Sequence, residues 1–387
     1  MGNEHGKPHK HAEAGHAPAA HVDQRVVSAY ETMKSNGEMN YSNFVGMFGE
    51  DLAESLWAFF TEQRDSTKIN KEGTLDREQF NKHAIRLMGS SHDIYVSICQ
   101  PVHHLIKVCS ESAGAIAVEG DQHFIKLLAE QVTKHGATEK EIITWYKQEI
   151  PKLGEYVQAK VLHKFLNYDL ALPDLSSDLL SPIQMWYVQA VLPSIYFPDT
   201  DKPGQKLKQW TPLYNSATQG VSVNRFEANV FDYRGPTVSF FQLVTGEVVV
   251  IATDQEWRNS GSRFGGPSTI YLQIYPTLLK IEESSSIYCN FKIRSAAFGL
   301  SFKNIFTLDK DMSQLRAVEV WGCAAASTKI DQQRLKDWQG KQAEKHKKVP
   351  LPGNWDDNPD KTLLEMAGFQ FSNERKLMEE AERKMER

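Results

Sequence analysis

The sequence predicts an α+β protein: a helical first half, then a β-sandwich flanked by helices, then a C-terminal helix. Three observations predict it. Apolar residues recur every three or four positions up to about residue 200, short β-branched and aromatic runs replace that period after Lys202-Pro203-Gly204, and a charged stretch with a narrow apolar stripe ends the chain. The division that follows is 1–22 as a His-rich tail, 23–90 as a pair of helix–loop–helix units, 91–200 as a helical region, 205–325 as the β domain, and 326–387 as a connector with a helical arm.

Bulk composition narrows the function classes. At 387 residues the chain can bury two or three cores without metal or disulfide staples. Its 44 basic and 49 acidic side chains give a net charge of −5, which argues against a general nucleic-acid binder. Cys99, Cys109, Cys289 and Cys323 form no CxxC pair, as expected of free thiols in a reducing compartment. The longest apolar run, around Val248 to Ala252, is far too short to cross a bilayer, and the N-terminus has no apolar signal core. The expectation is a cytosolic chain that neither spans a membrane nor enters the secretory pathway.

The first residues, Met1-Gly2-Asn3-Glu4-His5-Gly6-Lys7, place glycine second and permit N-myristoylation at Gly2, although Gly6 stands where Ser or Thr is preferred. One myristoyl chain binds membrane only marginally, at roughly 10⁴ M⁻¹, so a second contact would be needed. Lys7 and Lys10 are too few to supply it. His5, His9, His11, His16 and His21 would add charge under mild acidity, with metal capture and a plain low-complexity leader as competing readings.

Next come two segments in register, Gly37-Glu-Met39-Asn40-Tyr-Ser-Asn43-Phe44 and Gly73-Thr-Leu75-Asp76-Arg-Glu-Gln79-Phe80, offset by 36 residues. They resemble an EF-hand pair: glycine at each sharp turn, Met39 and Leu75 placed to pair the loops, and a phenylalanine opening each exit helix. The stretch Glu50 to Gln63 reads as the helix entering the second loop. Calcium requires oxygen ligands at loop positions one, three and five and a glutamate at twelve. Here Lys68 and Gln79 occupy the first and last positions of the second loop, and Thr32 and Asn43 those of the first. Both loops are therefore expected to serve structure rather than calcium.

From Asp93 to Pro198 successive apolar faces predict packed helices: Ile94, Ile98, Val102 and Leu105; Phe124, Leu127, Leu128 and Val132; Ile142, Ile143 and Tyr146. Thr138 and Glu141 form a capping box before the third. His103-His104 has no carboxylate one turn away and reads as structural.

Strands follow. Thr237–Val244 and Glu247–Thr253, separated by Thr245-Gly246, predict a β-hairpin, with further strands at Thr269–Tyr275, Ser286–Phe291 and Arg316–Trp321. Trp210-Thr-Pro-Leu-Tyr-Asn-Ser216, Gly220-Val-Ser222, Phe226, Gly235-Pro-Thr237, the hairpin ending at Ala252 with Trp257, Phe264-Gly265 and Ala317-Val-Glu319-Val-Trp321-Gly together resemble the TLDc domain. That resemblance implies a β-sandwich flanked by helices that commonly binds the vacuolar-type proton ATPase, in proteins linked to oxidative-stress resistance. With Gly2, the EF-hand-like units and the tail Asn358-Pro359 to Gly368, the chain is similar to the lysosomal, mTOR-associated members of that family. One departure is the stretch after Leu300, where the family's acidic loop is shortened to Ser301–Asn304, so a partner contact made by that loop is expected to be absent.

Glu319, flanked by apolar residues in a strand, is the best candidate for a buried carboxylate. It has no nucleophile elbow, phosphate loop or metal-spaced partner set, so it reads as a structural glutamate held by an arginine or by backbone donors.

Residues 328–348, with seven basic and three acidic side chains, read as an exposed, helical connector. Leu363, Leu364 and Met366 form an apolar patch beyond it, near Trp355. Ser372–Arg387 predicts a terminal helix, capped by Ser372 or Asn373, with Leu377, Met378, Ala381 and Met385 on one face suited to a groove on another protein. The leading expectation is an adaptor without cofactor, metal or catalytic residue. It would bind proton-pump subunits, and mTOR signalling components as well, at the lysosomal or vacuolar membrane. The rivals are a stress-protective enzyme using Glu319 or Cys323 and a calcium- or pH-responsive sensor.

Overall fold

The computed structural model describes residues 24–34, 38–63, 69–89, 91–134, 136–197, 210–293, 297–347, 359–369 and 374–385. Gly2 and the His-rich tail, the loop positions Gly37 and Lys68, Trp355, and the caps Ser372 and Asn373 lie outside the described residues. The chain divides into two compact units, Met1–Lys329 and Ile330–Arg387.

The first unit begins with the paired helix–loop–helix motifs: α1 (Gln24–Met33), α2 (Tyr41–Phe48), α3 (Glu50–Phe60) and α4 (Arg77–Leu87). The two-residue strands β1 (Met39–Asn40) and β2 (Thr74–Leu75) pair antiparallel with Met39 opposite Leu75, the pairing the aligned segments predict. Side chains at the ligand positions have structural work instead. Asn40 and Asn43 form the capping box of α2, and Asp76 caps α4 by accepting from the Gln79 N–H at 2.8 Å. Asn70 accepts from the Glu72 N–H at 2.9 Å, and its own N–H donates to Gln63. Between the helices Phe60 stacks on Phe80 at 5.1 Å, and Phe165 meets Phe80 edge-on at 5.4 Å. Such pairs add about 0.5–1.5 kcal/mol each beyond the area they bury.

Helices α5 (Asp93–Ile98), α6 (Val102–Ser112), α7 (Gln122–Thr133), α8 (Glu139–Glu149), α9 (Glu155–Leu166) and α10 (Pro182–Val191) complete the helical layer. The Thr138–Glu141 capping box is formed at α8. His104 accepts or donates one bond, with Ser55 at 2.8 Å, tying α6 to α3, while His103 is exposed. In α10 every residue from Met185 to Val191 is buried, because it lies between the other helices and a sheet.

That sheet has six antiparallel strands in the order β3 (Thr211–Asn215), β11 (Leu315–Gly322), β4 (Thr237–Leu243), β5 (Val248–Thr253), β6 (Ile270–Tyr275) and β7 (Leu279–Glu282). The predicted hairpin is β4–β5, in register Phe240 to Val250, and Gly246 takes the positive φ of +94° that its two-residue turn demands. Val238, Phe240, Val250 and Leu272 face the helical layer and share one continuous core with residues from Val26 onward. Phe241, Val249, Ile251 and Val318 face the other way, onto a three-stranded sheet of β8 (Ile287–Cys289), β9 (Leu300–Phe302) and β10 (Phe306–Leu308), with α12 (Val223–Val230), which follows the short α11 (Ser216–Gln219), beside it. Covered on both faces, β5 is buried at all six positions, with Thr253 closing an apolar run from Val248 to Ala252.

The stretch expected to be a shortened loop differs from that expectation. Ser301–Asn304 is not a loop throughout: Ser301 and Phe302 belong to β9 and are fully buried, and only the residues after them turn toward β10. Three apolar or small residues are too few to show period-two alternation, so this strand carries no sequence signal of its own.

The second unit is helical. The basic stretch is a helix, α13 (Ala326–Lys347), and α14 (Pro359–Met366) and α15 (Glu374–Met385) follow. Gly368, at φ +91°, ends α14 by allowing the Phe369 N–H to turn back onto the Leu364 carbonyl at 3.0 Å.

Candidate functional site

Glu319 is the buried carboxylate the sequence singles out. Its strand, β11, sends Val318 and Val320 into the core beneath the small sheet, which leaves Glu319 facing the helical layer, 2% exposed. Among the described residues no arginine meets it. The Ser177 hydroxyl donates to Oε2 at 2.7 Å, the Asp178 N–H to Oε1 at 2.6 Å, and the Trp321 indole to Oε2 at 3.3 Å. Ser177 Oγ in turn accepts from the N–H groups of Leu179 and Leu180 at 3.0 and 2.9 Å. Asp178 Oδ2 accepts from Asn215 of β3 at 2.7 Å, and Gln189 of α10 donates to the Asp174 carbonyl at 2.6 Å. Glu319 thus clasps the irregular strap of residues 167–181 onto the sheet. Each of its oxygens holds at least one donor, so its geometry serves to fasten the strap.

The thiols are equally engaged by burial. Cys99, Cys109, Cys289 and Cys323 are all buried, and burial pushes Cys99 up to about 12 and raises the other three thiols as well. A nucleophilic thiolate requires the opposite shift. Cys323 borders an open groove of about 880 Å³ at one end of the sheet, beside Arg234, Asp254 and Arg258. The Asp254 carboxylate there is spent on its neighbouring loop, accepting from the Gly266 and Ser268 N–H groups at 2.7 and 3.2 Å.

The residues expected to meet a partner are exposed on short helices. On α14, Leu363 is 64% and Met366 83% exposed, with Leu364 less so. On α15, Leu377, Met378 and Met385 are 65%, 70% and 89% exposed, and Ala381 is exposed beside them. One signal went unread in the sequence: Phe369, just past the end of α14, adds a further exposed aromatic ring to that patch. Among the described residues no group of three or more His, Cys, Asp or Glu side chains is placed to hold a metal ion, and no helix is long and apolar enough to cross a membrane.

The class these features define is an α+β protein in which a helical layer covers one face of an antiparallel sandwich. Residues 174–319 match the family model of the TLDc domain. The matched stretch starts within the region read from sequence as the helical middle, because it includes the strap whose Ser177 and Asp178 hold Glu319. A TLDc domain is consistent with a regulatory or adaptor role. No curated protein matches the chain.

Proposed function

We propose that this protein is a non-enzymatic adaptor that binds the vacuolar-type proton ATPase at the cytosolic face of a lysosomal or vacuolar membrane, and through it takes part in mTOR nutrient signalling and oxidative-stress resistance. The TLDc match over residues 174–319 carries this reading, since the resemblance ties that domain to the proton pump. Two features support it. Glu319 and the four thiols are committed to the fold, and α14 and α15 hold apolar side chains in water. N-myristoylation at Gly2 would supply a first membrane contact and the pump the second, which answers the weakness of a single acyl chain.

The test is affinity purification from lysate with the intact chain, a chain truncated after Ala326 and a Gly2→Ala variant, scored for pump subunits by mass spectrometry. The adaptor reading expects pump subunits with the intact chain and weaker recovery with truncation or Gly2→Ala. Absence of every pump subunit from all three would overturn it.

A further inference from the structure

The charge on α13 runs against the charge of the chain. Residues 328–348 carry seven basic and three acidic side chains, whereas the whole chain has a net charge of −5. The 22 residues of this helix span about 33 Å and sort into two faces. Gln332 is 7% exposed and Leu335 half-buried, so that side is packed. On the opposite side stand Ile330, Arg334, Trp338, Lys341 and Lys345, which fall within about 80° of one another around the axis. All five are exposed, Ile330 to 54% and Trp338 to 59%.

That stripe holds two apolar side chains, three cations and no carboxylate. Asp331, Asp337 and Glu344 fall to its sides. Asp331 pairs with Arg334 at 3.2 Å, and Asp337 accepts from the Gln333 amide at 2.9 Å, both within the helix. Lys341 and Lys345 have no ion-pair partner among the described residues. Even with Arg334 neutralised, the stripe therefore keeps two positive charges beside one exposed tryptophan. The buried centre of a protein–protein contact is depleted of lysine, because an ammonium group is strongly hydrated. A lipid headgroup layer asks for the opposite arrangement. Lysine stems lie along the apolar boundary with their charges in the polar zone, tryptophan sits at that boundary, and anionic headgroups attract the ammonium groups. The acidic remainder of the chain is repelled by the same surface, which turns α13 toward it.

We propose that the Ile330–Lys345 stripe of α13 is a membrane-surface site for anionic phospholipid headgroups, with Lys341 and Lys345 meeting the headgroup charge and Ile330 and Trp338 entering the boundary with the acyl chains. It gives the second contact that a single myristoyl chain at Gly2 requires. The site needs neither the acyl chain nor a proton pump, so it stands or falls apart from the adaptor reading.

The test uses the full-length Gly2→Ala protein, which cannot be acylated, sedimented with vesicles of phosphatidylcholine alone or with about 30 mol% phosphatidylserine added to make the surface negative. Binding is expected with phosphatidylserine and not without it, and should weaken as salt is added. Trp338 emission, taken as the difference from a Trp338→Phe variant, should shift to the blue on binding. Lys341→Gln combined with Lys345→Gln alters exposed side chains and should leave the fold intact while weakening partitioning about thirtyfold, from about 1 kcal/mol per lysine near an anionic surface. Lys126→Gln combined with Lys140→Gln removes the same charge from exposed positions on α7 and α8 and should leave partitioning nearly unchanged. The site is refuted if neutral vesicles bind equally or neither kind binds, or if the two lysine pairs lose affinity alike. It is also refuted if poly-L-glutamate binds as tightly as the vesicles with the same Trp338 shift, which would assign the stripe to an acidic polypeptide.

Discussion

The two compact units differ in what they do with apolar side chains. In Met1–Lys329, rings such as Phe44, Phe60, Phe80, Trp186 and Trp257 are almost wholly buried, and even the buried carboxylate Glu319 has each oxygen occupied. In Ile330–Arg387, α14 has no buried residue, and Leu363, Met366, Leu377, Met378 and Met385 are exposed. Helices of 8 and 12 residues are too short to hold themselves together in water, so their apolar faces cannot be justified by self-stability. The contrast separates residues kept for folding from residues available to a partner, and substitutions in the two units should divide accordingly.

The largest effect belongs to the aromatic centre of the paired helix–loop–helix region. Phe80 touches the rings of Tyr30, Phe60 and Phe165 and is fully buried. Phe80→Ala is expected to cost about 3–5 kcal/mol, read as a lowered urea midpoint with unchanged slope. A loss under about 1 kcal/mol would mean that this region is loosely packed and belongs with the arm in the comparison.

Next is the clasp. Glu319→Ala leaves the Ser177 hydroxyl and the Asp178 N–H without their acceptor and is expected to cost about 3 kcal/mol. Ser177→Ala removes one neutral donor and the acceptor of two N–H groups and should cost about 1–2 kcal/mol. A double-mutant cycle tests the pairing: additive losses would show that the two side chains do not act together.

The clasp also marks where sequence reasoning stops. The β4–β5 hairpin, the Thr138–Glu141 box and the Met39–Leu75 pairing were legible because each depends on residues in local or repeated register. The burial of Glu319 was legible from its apolar neighbours. Its partners were not, since Ser177 lies 142 residues away in a strap that Pro173 interrupts before any helical or strand period is sustained. Strand β3 carries Pro212, which suits its place at the sheet edge but weakens any strand signal, and β9 and β10 have three residues each. Long-range packing, rather than local preference, decides these elements.

A smaller effect tests how strictly the first unit avoids uncompensated burial. Lys152 stacks on Phe197 at 3.3 Å, and burial lowers it from its ordinary 10.5 to about 8 despite the opposing pull of Glu155. Between those values the unfolded chain binds more protons than the folded one, so stability gained from this site rises with pH across the window and its penalty is complete below about 8. Lys152→Met should therefore raise the melting temperature at pH 7, with the gain shrinking toward pH 10. A gain that does not vary with pH would assign the effect to packing instead of charge.

The smallest expected effect on stability is the most informative about function. Leu377→Ser and Met378→Ser alter side chains that are 65% and 70% exposed, so each should move the unfolding midpoint by under about 0.5 kcal/mol. If the α15 stripe seats in a partner's groove, the same substitutions should sharply reduce recovery of proton-pump subunits, because apolar anchors at the centre of a helix-in-groove contact each contribute about 2 kcal/mol or more. Glu319→Ala, measured beside them at a temperature where it remains folded, should lose stability while retaining recovery. An inverted result, with the arm variants binding normally and Glu319→Ala failing to bind while folded, would move the partner surface from α15 to the strap of residues 167–181 and its supporting sheet.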